Sequence, residues 1–193
     1  MKVGVLAVQG DFEAHGKMLE GLGVETREVR QSADLEGLAA LVLPGGESST
    51  QLKFLEEEGL AGPVRGFVER GGAVFGTCAG AILLAREVRN PAQRSLDLID
   101  ITVLRNGYGR QLQSAVRFGH CGLKTGPFEM VFIRAPIIER TGQGVEVLAE
   151  EGGHPVLVRQ GLVLAATFHP ELTDDPTLHT YFLEMAREHV QAA

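Results

Sequence analysis

Three short segments carry side chains whose types and order suit acyl transfer: Gly76-Thr77-Cys78-Ala79-Gly80, Phe168-His169-Pro170-Glu171 and Leu43-Pro44-Gly45-Gly46-Glu47-Ser48. In the first, one of only two cysteines stands between a strand-like and a helix-like apolar run, with a glycine two residues away on each side. A small apolar residue would fill a core position as well and would not oxidise. A strand-to-helix elbow explains the pattern better: the central side chain sits on a sharp, strained turn, and glycines let neighbouring backbone pass without a Cβ clash. A helix starting at Ala79 would aim its N-terminus at the sulfur and favour the thiolate, which is the nucleophile. Alone, the motif fits a buried, space-filling cysteine equally well.

The second segment shifts that balance. His169 follows the apolar run 162–166, so it should leave a strand end. Proline biases the preceding residue toward extended backbone, where residues two apart point the same way. His169 and Glu171 are therefore expected on one side, the carboxylate orienting the imidazole. Cysteine, base and orienting acid together make a thiol acyl-transfer set. In the third segment Ser48 is an expected helix cap. The glycines also allow backbone N–H groups to approach a developing oxyanion, one donor coming from Gly46 and another from Ala79.

The elements that must position these groups are legible as a pattern. Apolar runs at 3–8, 38–43 and 73–75 read as strands, 24–29 reads as a weaker strand interrupted by charges, and 12–22, 48–58 and 63–70 read as helices, Pro63 lying in a first turn. Strand alternating with helix implies a parallel sheet with right-handed crossovers. Runs at 98–104, 130–133, 145–149, 155–158 and 162–166 are strand-like and punctuated by glycine. They suggest an antiparallel portion closing the same sheet. Asp175-Pro176 begins a last helix with Leu178, Phe182 and Met185 as its apolar stripe. The fold class expected is α/β: one domain over 1–193, an open, mostly parallel sheet with helices on both faces in a flavodoxin-like arrangement. Ligands of such sheets sit beyond the carboxyl ends of the strands, so the three segments should be neighbours.

Bulk properties bound the function. The 193 residues suffice for one sizeable core, with 44% apolar and 22% charged residues as in an ordinary globular enzyme. A net charge of -7 without a basic run argues against nucleic acid, and no apolar run approaches the ~20 residues that span a bilayer. Two cysteines and no secretory leader fit a cytoplasmic chain. His120 beside Cys121 lacks the further ligands a metal site needs, and no metal or cofactor is expected. His15, His154, His179 and His189 show no chemical partner in the sequence and are expected to be structural or solvated.

Together the three segments resemble the triad-type (class I) glutamine amidotransferases. More narrowly, the chain is similar to the glutaminase subunits of pyridoxal 5′-phosphate synthase, through LAVQG from Leu6, LPGGESST from Leu43, RNGYGRQ from Arg105, VFIRAP from Val131 and TFHPELT from Thr167, in that order. The resemblance implies hydrolysis of L-glutamine to glutamate and ammonia, the ammonia passing to a separate synthase subunit that makes pyridoxal 5′-phosphate. It implies Cys78 as nucleophile, His169 as base and acid, and Glu171 as its partner. Glutamine would be held by Gly46, Glu47, Ser48, Arg105, Ile133 and Arg134, since an α-carboxylate wants arginine or backbone donors and an α-amino group wants a carboxylate or carbonyl. The turn Gln9-Gly10-Asp11 should lie at the same edge and couple the site to the docked synthase subunit, unless Gln9 merely satisfies loop backbone. The rival expectations are a glutaminase for another synthase, such as that of imidazole glycerol phosphate, and a non-catalytic module on the same fold.

Overall fold

The computed structural model describes residues 1–106 and 114–192, with side chains through 188. Of the RNGYGRQ segment only Arg105 and Asn106 are among them. Residues 107–113 and the His189 side chain lie outside the described residues.

The first half alternates as the pattern requires: β1 (Lys2–Leu6), α1 (Phe12–Gly21), β2 (Glu25–Val29), β3 (Ala40–Leu43), α2 (Ser48–Glu57), α3 (Ala61–Glu69), β4 (Ala73–Thr77) and α4 (Ala79–Leu84). The second half supplies β5 (Ala85–Arg89), β6 (Ile99–Leu104), β7 (Ser114–Gly119), β8 (Phe128–Ile133), β9 (Ile137–Thr141), β10 (Glu146–Glu151), β11 (His154–Gln160), β12 (Val163–Ala166) and α5 (Thr177–Ala192). At the start of α5, Asp175 Oδ1 accepts the Thr177 N–H at 3.0 Å, the capping bond its type promised.

The main sheet runs β10-β11-β12-β4-β3-β1-β2. From β12 to β2 every pairing is parallel. The central β3, β4 and β12 are buried at every residue, which is why they read as unbroken apolar runs. The edge strand β2 carries charges at Glu25, Arg27 and Glu28 instead, as an unpaired edge should. The order β2-β1-β3-β4 turns back between β1 and β3, so the switch point lies where the turns after Leu6 and Leu43 meet.

The antiparallel portion departs from expectation. Among the described residues only β10 and β11 extend the main sheet. The run 98–104 forms β6 of a separate three-stranded sheet with β5 and β9, and 130–133 belongs to β8 in a two-stranded hairpin with β7. The run 162–166 forms β12, which is parallel to β4. The physical reason is that the small sheet covers a face and not an edge. Ile99, Ile101, Val103 and Ile138 share one cluster with Leu83 and Leu84 of α4 and with Val158, Val163 and Ala165 of the main sheet. Either arrangement buries one face of a strand, so the apolar pattern alone does not separate them. The hairpin contributes Phe128, Met130 and Phe132 to the opposite cluster, where both phenylalanines lie against Phe168 at ring-centroid distances of 5.7 Å. Among the described residues no helix is long and apolar enough to cross a membrane.

Candidate active site

Four chain turns converge at the carboxyl edge of the parallel strands. Cys78, between β4 and α4, has φ 46° and ψ -100°, a conformation that costs an L-residue of order 1–3 kcal/mol and persists only where surrounding structure imposes it. The imposition is visible. A methyl on Gly80 would collide with the Leu43 carbonyl oxygen, and one on Gly76 would come within 2.6 Å of the Gly80 carbonyl carbon. The elbow is thus jammed between β3 and its own helix. The Cys78 N–H donates to Ala166 O at 2.8 Å, fastening β4 to the end of β12. The sulfur lies 3.8 Å from Ile133 O.

That fastening brings His169 into range. Its backbone N–H donates to Val131 O at 2.8 Å, and Nδ1 lies 2.8 Å from Glu171 Oε1 and 3.4 Å from Asp11 Oδ2. Nε2 is left for the sulfur. The ring packs on Gly45, where a methyl would occupy its place. The two side chains do meet, but not along an extended segment. Pro170–Leu172 closes a 3-10 turn with His169 as its cap, because proline fits a first helical position as readily as it restricts the residue before it.

Burial disfavours a charged imidazole, yet the hydrogen bonds and charges of Cys78 and Glu171 outweigh it and raise His169 to about 10. Glu171 is pushed up by burial, opposed by its bond to His169. Near neutral pH the imidazole therefore carries a proton, held between sulfur and carboxylate.

A cavity of about 390 Å³ opens in front of the sulfur, within the range of about 300–1,000 Å³ usual for small-molecule sites. Cys78, His169, Gly46, Glu47, Ser48, Arg105, Ile133, Arg134 and the turn Gln9-Gly10-Asp11 all line it, joined by Ile82 and Asn106. Glu171 stands behind His169, and Ala79 is buried in the first turn of α4. Ser48 is not the cap of α2. Glu47 is: its carboxylate accepts from the Ser49 and Thr50 N–H groups at 3.3 and 2.7 Å and from both hydroxyls. Burial works against this charge, but those bonds prevail and hold the carboxyl at about 2. Ser48 instead donates to Gln93 Oε1 at 3.1 Å. Arg105 Nη2 reaches Glu47 Oε1 at 3.1 Å with its side chain only 17% exposed, whereas Arg134 is exposed at the rim with φ 44°.

The turn after β1 is stitched to the turn after β3. Gln9 Oε1 accepts the Glu47 N–H at 2.7 Å, and the Asp11 N–H donates to Gly45 O at 3.3 Å. At Gly10, φ 97°, a methyl would collide with that same Gly45 oxygen. Gln51 Nε2 bridges Gln9 O and Pro44 O at 3.0 and 3.2 Å.

Sequence reasoning missed the layer behind the triad. His15 and His179, expected to be structural or solvated with no partner visible in the sequence, are fully buried and bonded to one another, Nδ1 of His15 to Nε2 of His179, at 2.9 Å. His15 Nε2 lies 3.1 Å from Thr77 Oγ1 and 3.3 Å from Glu171 Oε2. The signal was there: each histidine lies on the inward stripe of an amphipathic helix, His15 with Leu19 and His179 with Phe182 and Leu183, where a polar ring requires a protein partner. Asp11, His169 and Glu171 offer ligand atoms within 4.8 Å of one another. A cation there would have to displace the proton that His169 Nδ1 already shares with both carboxylates.

A strained, largely buried nucleophile elbow that opens on a cavity, with an imidazole and a buried carboxylate beside it on a flavodoxin-like sheet, defines a thiol-dependent acyl-transfer architecture. The chain belongs to the SNO glutamine amidotransferase family, whose model matches residues 5–188. It is 57% identical over 187 residues to the pyridoxal 5′-phosphate synthase subunit PdxT of Koribacter versatilis, covering 97% of this chain and 96% of that one. To the PdxT of one Thermus thermophilus strain it is 58% identical over 187 residues, covering 95% and 97%. A solved glutamine amidotransferase superposes with a TM-score of 0.90 at 55% identity, covering 96% of this chain and 98% of that one. A solved chain described as a putative GMP synthase component, from Thermoplasma acidophilum, shares the fold at a TM-score of 0.72 and 19% identity, over 100% of this chain and 96% of that one.

Proposed function

We propose that this chain is the glutaminase subunit of pyridoxal 5′-phosphate synthase, hydrolysing L-glutamine to glutamate and ammonia for a separate synthase subunit. The observation that carries the reading at this site is the junction of Cys78, on its strained elbow, with His169, held by Glu171 at 2.8 Å, in the lining of one cavity.

The chemistry follows from those positions. The Cys78 thiolate attacks the side-chain amide carbon, forming a C–S bond while the carbonyl oxygen takes the negative charge. Backbone N–H groups of Gly46 and Ala79 receive that oxyanion. His169 gives its proton to the departing nitrogen, the C–N bond breaks, and ammonia leaves a thioester. Water then attacks the thioester carbon, His169 taking its proton, and glutamate departs as the thiolate is regenerated. Glu171 fixes the imidazole tautomer and balances its charge.

Substrate recognition is assigned to Gly46, Glu47, Ser48, Arg105, Ile133 and Arg134. Arg105 is the better placed arginine for the α-carboxylate, since Glu47 holds it against the cavity. Backbone carbonyls at Ile133 and Arg134 serve the α-amino group better than Glu47, whose carboxylate already accepts from five donors, Arg105 among them. Gln9, Gly10 and Asp11 couple the site to the docked synthase subunit through their bonds to the Gly45-Gly46-Glu47 segment. One glutaminase domain over 1–193 is supported by the span of the family match. A cytoplasmic location is supported by two cysteines that are both free.

The test is Cys78→Ala in the complex with the synthase subunit. Glutamine hydrolysis should fall by more than about 10⁴-fold with complex formation intact, and added ammonia should still support the synthase. Substantial residual hydrolysis would remove Cys78 as the nucleophile.

A further inference from the structure

Behind Glu171 lies a buried polar chain that the hydrolytic steps do not use. Glu171 Oε1 is taken by His169. Its other oxygen, Oε2, is buried, and among the described residues no full hydrogen bond reaches it. The nearest donor is His15 Nε2 at 3.3 Å, whose N–H is shared with Thr77 Oγ1 at 3.1 Å. His15 in turn meets His179 Nε2 through Nδ1 at 2.9 Å, and His179 Nδ1 has no partner among the described residues. Helices α1 and α5 thus each send one histidine into the core beneath the site.

Only one arrangement of protons suits these distances. If His179 carried its proton on Nδ1, a buried N–H would have no acceptor. His15 would then have to donate from Nδ1, leaving a bare Nε2 lone pair facing a carboxylate oxygen. With the opposite tautomers, His179 Nε2–H donates to His15 Nδ1, and His15 Nε2–H bonds Thr77 Oγ1 with Glu171 Oε2 as the next acceptor, 3.3 Å away. The sole cost is one unpaired acceptor on His179, less severe than an orphaned donor. Both rings are neutral. Burial holds His15 well below its ordinary value, helped by the neighbouring His179 and His169, and burial brings His179 to about 4.

We infer that His15, set in its Nε2–H tautomer by His179, is a positioning residue for the hydrolytic triad: it turns its N–H edge to the second oxygen of Glu171, 3.3 Å away, and keeps that carboxylate ionised and turned toward His169. A neutral donor suits this task. A second cation at Oε2 would neutralise Glu171 and weaken its hold on the His169 proton, whereas an imidazole N–H stabilises the charge without cancelling it. The inference rests on the reading of Cys78, His169 and Glu171 as the hydrolytic set. The groups facing Glu171 are His169 from its own turn, His15 from α1, with Thr77 from β4 beside it, and Asp11 from the β1 turn; His179 of α5 faces His15.

The experiment compares His15→Leu and His15→Gln with the unaltered chain, each in complex with the synthase subunit, over a pH series of glutamine hydrolysis. Without its donor the buried carboxylate binds a proton more tightly. His15→Leu should therefore lower kcat/KM by about ten- to a hundredfold and move the acid limb of the profile up by about one unit. Glutamine, whose amide can donate from nearly the same place, should restore part of both. A folded His15→Leu variant with an unmoved acid limb would overturn the inference. So would a ¹⁵N-histidine spectrum of the unaltered protein showing His15 protonated at Nδ1, a measurement that decides the matter even if His15→Leu does not fold. Cys78→Ala in the same assay separates the two levels: if it still hydrolyses glutamine, the triad reading itself fails, and if it is inactive while His15→Leu behaves normally, only the role of His15 falls.

Discussion

The two walls of the cavity are built on different terms. Cys78, His169 and Glu171 are 6%, 3% and 6% exposed, and each is fixed by backbone the core cannot rearrange: the elbow wedged against Leu43, the His169 N–H on Val131, the β4 end fastened to β12. The facing wall is made of Gln9, Glu47, Arg105 and Arg134, held by hydrogen bonds between loops at the edge of solvent. Such bonds are worth about 1 kcal/mol each, little enough for a docking partner to rearrange. On the proposed roles, groups that make and break bonds are placed by packing, and groups that would recognise substrate and partner are placed by contacts that can change. Control of the reaction would then belong on the second wall.

The sharpest way to break this comparison is to rank the members of the packed wall. His169→Ala removes the proton carrier and should cost about 10⁴-fold or more in glutamine hydrolysis. Glu171→Gln leaves the ring in place with its tautomer less well fixed, and should cost less, about 10²- to 10⁴-fold, leaving measurable turnover. Steady-state rates of the two variants in complex with the synthase subunit decide it. An equal or larger loss for Glu171→Gln would mean that the carboxylate does more than orient.

The packed wall should also mark its charge state on stability. His169 binds its proton more tightly folded, at about 10, than unfolded, near 6.5. The stability it lends is complete below about 6.5 and disappears as pH rises through about 10, because the unfolded chain gives up the proton first. Glu171, raised from 4.5 by burial, adds a loss of the same sign at lower pH. Urea midpoints should therefore decline from about pH 7 to about pH 10. In Cys78→Ala the decline should be shallower, since the sulfur is one of the groups that hold the proton. Parallel declines in the two proteins would show that the sulfur does not stabilise the imidazolium.

How legible each wall was follows from the same difference. The parallel strands and the elbow could be read from sequence because their causes are local: fully buried strands are continuous apolar runs, and the glycines flanking Cys78 answer to contacts within a few residues of it and to the adjacent strand. The positions named around the cavity do meet there, including Arg105 and Ile133, which are far apart in sequence. What escaped was non-local or ambiguous. The small sheet β5-β6-β9 has the same apolar alternation whether it extends an edge or covers a face. The pairing of His15 with His179 joins residues separated by 164 positions, and no short-range pattern encodes it. The cap of α2 fell to Glu47 in place of Ser48 because a longer carboxylate can reach two N–H groups and two hydroxyls at once.

The smallest effect on the chemistry itself, and the one that most sharpens the contrast, belongs to Gln9. Its side-chain oxygen accepts the Glu47 N–H at 2.7 Å, while its own carbonyl accepts from Gln51. Two residues on, the Asp11 N–H holds the Gly45 carbonyl oxygen. The orientation of the Gly45–Gly46 peptide, and hence of the Gly46 N–H proposed for the oxyanion, is therefore tied to the turn after β1. A peptide flanked by glycines rotates with little steric resistance, so a partner pressing on Gln9-Gly10-Asp11 can set that N–H without disturbing the buried triad. A glutaminase active at all times would waste glutamine and lose ammonia to protonation in bulk water, which makes such a tether physically sensible. The isolated chain should hydrolyse glutamine slowly and be strongly activated by the synthase subunit. Gln9→Ala should lose that activation while a glutamine-analogue affinity reagent still alkylates Cys78, because the sulfur and His169 belong to the other wall. Full activity of the chain alone, or normal activation of the variant, would take this turn out of the mechanism.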